Sequence, residues 1–310
     1  CLNSVQTLKP VGGSARRGTR YRPRPAMNLD TLSLTVTGEG PGTIVMCHGW
    51  PDTHHLWDAQ VAHFAPRWRC ARFTWPDFDV QAPGPAVGHR LDELVDTLAG
   101  VVDRVSPDRP VVLMLHDWGC LFGITYAMRH PQRVSHVVLL DVGDAVSGRY
   151  RRSLTGKAMA MTLAYQLWLA VAWSLGGSLG DTMTRWMARQ LRAPVMKAAP
   201  ERVGYRQNYP YHMMWFRSHG GLGGLAVPKM TCPVFFAWGE RKPFMFHSGE
   251  WVQALSADPK NRAMAFPTGH WIMLQAPEAL HAALDAWLPP PEPRPQPKAE
   301  PTPPPALPAP

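Results

Sequence analysis

The sequence predicts an α/β fold, a mostly parallel central sheet with helices on both faces and an inserted helical lid. Three observations carry that expectation. Apolar runs such as Thr43-Ile44-Val45-Met46-Cys47, Val111-Val112-Leu113-Met114-Leu115 and Val134 to Leu140 show no polar alternation, as strands covered on both faces do. Helical patterns separate these runs, and strand–helix alternation builds a parallel sheet. From Ala145 to Met230 the alternation stops and helical material takes its place. That interruption is read as a lid, residues 145–230, over the strand ends of a core formed by 28–144 and 231–288.

In chain order, residues 1–27 lack hydrophobic periodicity and read as a disordered basic leader. Lys9, Arg16, Arg17, Arg20, Arg22 and Arg24 all precede the first acidic residue, Asp30, so much of the net charge of +9 sits there. Such a leader fits a floppy tail or the remnant of a targeting peptide better than a nucleic-acid arm. Thr31 to Thr37 alternates at period two, as a half-exposed strand does. His55 to Phe64 is a helix with Leu56, Ala59, Val61 and Phe64 inside. Cys70 to Trp75 is a strand and Pro76 to Asp79 a turn. Arg90 to Val105 places apolar residues at Leu91, Leu94, Val95, Leu98, Val101 and Val102, the spacing of an amphipathic helix. Thr231 to Trp238 and Arg262 to Phe266 are the last strands, and Ala276 to Leu288 the last helix. The Pro-rich residues 289–310 should be an extended, solvated tail.

Composition narrows the function classes. The five cysteines have no CxxC or ligand spacing, which excludes a disulfide framework or a zinc site and fits a reducing compartment. No Gly-rich phosphate loop, EF-hand or HExxH motif occurs, so no cofactor is expected. The expected location is cytoplasmic, with organelle targeting as the alternative if the leader belongs to a longer signal. Ala158 to Gly180 carries no charged side chain and is long enough to span a bilayer. A span there would separate the elbow from the late His described next, so this stretch is expected to be a buried lid helix, with membrane-surface contact as the second reading.

The run Val111 to Leu115 breaks at His116-Asp117-Trp118-Gly119, and Gly119 and Gly123 open a helix. A strand, one reactive side chain and a Gly-spaced helix start make a nucleophile elbow, here with Asp117 in the nucleophile's place. A second strand ends in His48-Gly49-Trp50-Pro51, and a late loop carries Thr268-Gly269-His270-Trp271. The order of oxyanion loop, nucleophile and late His is that of the α/β-hydrolases. Over residues 29–288 the sequence resembles the epoxide hydrolases and haloalkane dehalogenases of that superfamily, whose signatures are His-Gly-Xaa-Pro and His-Asp-Trp-Gly. The segment Gly239-Glu240-Arg241-Lys242-Pro243-Phe244-Met245-Phe246-His247-Ser248 resembles a eukaryotic subgroup with no settled substrate.

An Asp at the elbow can attack an electrophilic carbon to form an alkyl-enzyme ester, which water must then hydrolyse. The resemblance implies His270 as the base and the main-chain N–H groups of Trp50 and Trp118 as oxyanion donors; His48 would brace the loop and His116 pack behind it. The family's usual acid follows the penultimate strand, but Lys242 stands at that position. In some dehalogenases the acid ends the strand after the elbow helix, which matches Asp141; Asp144 and Glu240 are the alternatives. Leu115 also departs from the pattern, since the elbow normally has a small residue there. Tyr165 and Tyr211 resemble the lid tyrosines that protonate an epoxide oxygen, with Tyr209 the rival of Tyr211. Trp50, Trp118, Tyr165, Tyr211 and Trp215 are the expected substrate contacts. The expectation is a cofactor-independent epoxide hydrolase taking a small hydrophobic substrate and water, with no nucleic-acid partner. The alternatives are a haloalkane dehalogenase and a catalytically weak ligand-binding protein.

Overall fold

The computed structural model describes residues 28–291; the expectations for the basic leader and for nearly all of the Pro-rich tail lie outside them. The chain opens with a short edge strand β1 (Thr35–Thr37), then β2 (Thr43–Cys47), α1 (Asp58–Phe64), β3 (Arg69–Phe73), α2 (Leu91–Val105), β4 (Val111–His116), α3 (Trp118–Arg129) and β5 (Val134–Leu140). Helices α4 (Gly148–Ser153), α5 (Gly156–Leu175), α6 (Gly177–Gln190), α7 (Val195–Ala198) and α8 (Tyr209–Phe216) follow before the sheet resumes. It closes with β6 (Val234–Gly239), α9 (Gly249–Ser256), β7 (Arg262–Phe266), α10 (Ile272–Gln275) and α11 (Pro277–Trp287).

The seven strands lie in the order β1-β3-β2-β4-β5-β6-β7, with only the β1–β3 pair antiparallel. The sheet is mostly parallel, as the element alternation predicts, and its strand order with the helical insertion after β5 is the α/β-hydrolase fold that the resemblance implies. Burial explains the order: β2 and β4 are buried at every position, whereas β1, at the edge, is exposed throughout. Helix α2 turns Leu91, Leu94, Val95, Leu98, Val101 and Val102 inward, the face that its spacing marks. Small polar residues start several helices where they should. Ser147, Thr155 and Ser248 each accept a main-chain N–H at the start of α4, α5 and α9.

Two expectations are corrected. The strand expected over Thr31 to Thr37 is only three residues long, because Leu29–Thr31 forms a 3-10 turn and Ser33 takes a positive φ of 51°. Leu32 is thereby turned into the core and Leu34 packs half-buried against it, while Thr35–Thr37 face solvent. The uncharged lid stretch is helical but not buried. In α5 only Ala158, Leu169, Ala170 and Ala172 are fully buried and Tyr165 and Trp173 are half-buried, because one strip packs it on α6 and α8; among the described residues Met159, Met161, Leu163, Trp168, Val171 and Leu175 stay exposed.

Candidate active site

Every residue of the expected triad and oxyanion loop lies just beyond the C-terminal end of a strand, where parallel sheets place ligands. Asp117 follows β4 and is the residue before α3, with φ 51° and ψ −121°. Such a conformation costs a non-glycine residue about 1–3 kcal/mol and is held by tight packing around it. A Cβ on Gly49 would stand 2.5 Å from the Asp117 Cβ, so the oxyanion loop can pass this close only as glycine. Leu115, where the pattern has a small residue, crowds the start of α3, and Gly123 makes room for it. A Cβ on Gly123 would lie 2.5 Å from both Leu115 methyls.

The two carboxylate oxygens of Asp117 have different surroundings. Oδ2 accepts the Trp50 main-chain N–H at 2.7 Å, and the Trp118 N–H also bonds this carboxylate. Oδ1 faces His270, whose Nε2 is 3.7 Å away. The other imidazole nitrogen, Nδ1, is hydrogen-bonded to Asp141 Oδ2. Of the three carboxylates considered, Asp141 alone reaches His270. Glu240 is exposed. Asp144 accepts bonds from Ser147 Oγ and from the Ser248 N–H and Oγ, which ties the loop after β5 to the start of α9.

Lys242 does not merely vacate the acid's usual position. Its Nζ lies 2.9 Å from Asp141 Oδ1, with 6% of the side chain exposed, and its ammonium sits over the Phe246 ring. The Gly239 N–H also donates to that Asp141 oxygen. Burial opposes charge on Asp141, yet the Lys242 ammonium and then His270 hold its carboxyl well below the usual range. Burial likewise opposes a charged His270, but Asp141 outweighs it and raises the imidazole pKa, with Lys242 acting in the opposite sense. For Asp117, burial pushes the carboxyl up, and His270 and the two N–H donors offset only part of that.

Supporting residues fix this frame. Burial lowers the His48 pKa to about 3, so the ring is neutral. Its Nε2 accepts the Trp75 N–H at 3.1 Å, which leaves Nδ1–H to donate to the Gly49 carbonyl at 3.0 Å. His48 therefore braces the oxyanion loop, as expected. His116 packs against His270, ring centroids 4.4 Å apart, with Nε2 at 3.2 Å from the His270 carbonyl. Burial holds it neutral.

The lid closes over Asp117 with aromatic rings. A continuous series of ring contacts runs from His270 through Phe246, Phe244, Tyr165 and Tyr211 to Trp118 and Trp50. Burial first, and then the charge of Asp117, raise the phenol pKa of both Tyr165 and Tyr211, so both keep their protons at neutral pH. Tyr209 points elsewhere, against Phe78, His89 and Trp173. The expectation for Trp215 is corrected: 39% of it is exposed, and its indole bonds Gln166 on the outer side of the lid, because α8 turns Tyr211 and Met213 inward.

Sequence reasoning missed three further residues. Asn208 accepts the Trp50 indole N–H at 2.8 Å and donates to Thr184. Gln207 donates to the carbonyls of Pro51, Phe78 and Arg202. Together they bolt the lid to the oxyanion loop. Asp52 accepts the Trp271 indole at 2.8 Å, and burial pushes its carboxyl up to about 7. The signal for all three was a buried amide or acid beside a motif, which only burial distinguishes from a surface one.

Comparison with known proteins agrees with this architecture. Residues 42–171 match the alpha/beta hydrolase fold family. A protein of Mycobacterium tuberculosis called "Probable oxidoreductase EphD" is 34% identical over 94 residues, 30% of this chain and 16% of that protein. Epoxide hydrolase 1 of Caenorhabditis elegans is 25% identical over 122 residues, 39% of this chain and 30% of that one. The chain thus spans well under half the length of these two relatives. The crystal structure of an epoxide hydrolase from Bacillus megaterium superposes with a TM-score of 0.63 at 18% identity, over 83% of this chain and 96% of that one. At that identity the likeness is one of fold.

Proposed function

We propose that this α/β-hydrolase-fold chain opens epoxides through a covalent ester on Asp117 and releases a diol. The observation that carries the reading is the pair of lid phenols, half-buried Tyr165 and buried Tyr211, that pack on each other and on Trp118 beside the elbow carboxylate. Asp117 Oδ1 attacks an epoxide carbon, the ring C–O bond breaks, and the departing oxygen takes a proton from a lid phenol. Oδ2, already on the Trp50 N–H, with the Trp118 N–H on the same carboxylate, becomes the ester carbonyl oxygen. His270 Nε2 then takes a proton from water, and the hydroxide adds to the Asp117 carbonyl carbon. The oxyanion forms on the same two N–H groups, each such donor being worth about 3 kcal/mol. Collapse expels the diol oxygen, which takes the proton back from His270 while Asp141 stabilises the imidazolium, and the proton left on the regenerated Asp117 carboxyl returns to the lid phenolate. The aromatic lining favours a hydrophobic substrate, and the segment 239–248 supports placement in a eukaryotic subgroup.

One observation favours a dehalogenase instead. No well-aligned hydrogen bond takes up the buried Trp118 indole N–H, although the Tyr211 phenol lies beside it, and a halide could accept it. A second indole donor is missing, because the Trp50 indole is spent on Asn208. The test is a His270→Gln variant offered aryl and alkyl epoxides and haloalkanes. Mass spectrometry should find the intact epoxide mass on the Asp117 peptide, and the parent should release diol. Halide release without epoxide opening selects the dehalogenase, and no adduct with either class selects a binding protein.

A further inference from the structure

The outer surface of the lid is apolar and unpartnered within the described residues. Along α5 the residues Met161, Trp168, Val171 and Leu175 recur at helical spacing on one face, 36–54% exposed. Leu179 and Trp186 extend that face onto α6, at 57% and 46%. The two helices form an antiparallel hairpin. Gly180 abuts Ala172, the Trp168 indole donates to the Met183 carbonyl, and the Trp168 and Trp186 rings lie 4.8 Å apart. Leu175 and Leu179 therefore form its tip. The far end of α6, with Arg189 and Arg192, returns toward the start of α5, where Arg151, Arg152 and Lys157 lie exposed. A contiguous apolar surface of this kind on one element marks a contact site.

Charge is divided between lid and core. Residues 145–230 hold 12 Lys and Arg against two Asp and Glu, whereas residues 28–144 and 231–291 together hold 12 against 19. The folded body is thus a dipole, with the cationic pole on the element that exposes apolar side chains. Apolar insertion and attraction to anionic headgroups are the two signals that together hold a protein on a membrane surface. Tryptophans suit the headgroup level, where an apolar ring and a polar N–H are both satisfied. A second copy of the chain is disfavoured as occupant, because two such cationic lids would repel face to face. A spanning helix is disfavoured too: α5 carries Tyr165 toward Asp117 and buries Leu169, Ala170 and Ala172 in the lid.

We propose that the lid docks on an anionic phospholipid bilayer through the outer faces of α5 and α6, with the basic residues at the hairpin base on the headgroups. Tyr165, four residues after Met161 and three before Trp168, lies at the margin of this face, where α5 turns toward Tyr211 and Phe244. Binding is read without reference to turnover, so the result stands apart from the epoxide reading.

The test is flotation of the full 310-residue chain with vesicles of phosphatidylcholine alone or mixed with phosphatidylserine. Binding is expected on the mixed vesicles only, and it should weaken about tenfold or more as salt approaches molar strength. Two variants locate the surface: Trp168→Ser with Val171→Ser and Leu175→Ser, and Arg151→Glu with Arg152→Glu and Lys157→Glu. Each should lower partitioning about tenfold, with circular dichroism matching the parent. Equal binding to both vesicle types, or none, overturns the proposal on the parent protein alone. Variants that bind like the parent assign the contact to another region, such as the basic leader, and overturn it. Retention after carbonate extraction overturns it in favour of a span. Dimerisation that Trp168→Ser abolishes overturns it in favour of a second copy.

Discussion

Replacing Lys242 by Met removes the ammonium 2.9 Å from Asp141 Oδ1 and keeps an apolar stem over Phe246. Lys242 lowers the His270 pKa and Asp141 raises it, so the substitution should shift that pKa upward. Across one carboxylate, the ammonium stands roughly 6 Å from the imidazole; at an effective dielectric constant near 20, two unit charges there interact by about 3 kcal/mol, or about 2 pH units. Rearrangement around the vacated position screens part of this, leaving an expected rise of about 1–2 units. The imidazole acts as a base only when deprotonated. The pH at which ester hydrolysis reaches its plateau should therefore move up by that amount, slowing hydrolysis about tenfold or more on the acid side of the curve. Ester formation, which uses Asp117 and the phenols, should change little. Quenched single-turnover measurements of the alkyl-enzyme across pH read both steps. A hydrolysis profile that keeps its midpoint, or moves to lower pH, refutes the electrostatic reasoning and leaves Lys242 a packing residue.

Three other outcomes are expected. Asp141→Asn should leave ester formation nearly intact and slow its hydrolysis by about 10⁴, as loss of the orienting acid does in serine triads; Glu240→Gln should behave like the parent, and the reverse pattern would move the acid to Glu240. Tyr165→Phe and Tyr211→Phe should each slow alkylation by an epoxide about tenfold or more, checked by stopped-flow fluorescence, while Tyr209→Phe should not. Gly123→Ala should destabilise the fold by about 1–3 kcal/mol through the clash with Leu115, and urea unfolding of Leu115→Ala with Gly123→Ala should show recovery relative to the sum of the two single changes.

The order of strands and helices, the elbow at Asp117, the oxyanion loop at Gly49-Trp50 and the placement of His270 were all legible in the sequence. Each depends on local signals: apolar runs of fixed period, glycines where chains approach closely, and motifs read in order. The acid was legible only as a choice among Asp141, Asp144 and Glu240, because all three end or follow strands. Tertiary structure separated the three, turning Asp141 onto the imidazole, Asp144 onto Ser147 and Ser248, and Glu240 into solvent. The same holds for Tyr211 over Tyr209, two residues apart on one helix and facing opposite partners. Lys242 stands where the family's usual acid would be and pairs with the Asp141 carboxylate, a relation between β5 and the loop after β6 that no local pattern encodes. The lid helix was misjudged for a related reason. An uncharged sequence states how little polarity it carries, but whether a neighbour covers it depends on elements far along the chain, and among the described residues nothing covers the outer face of α5.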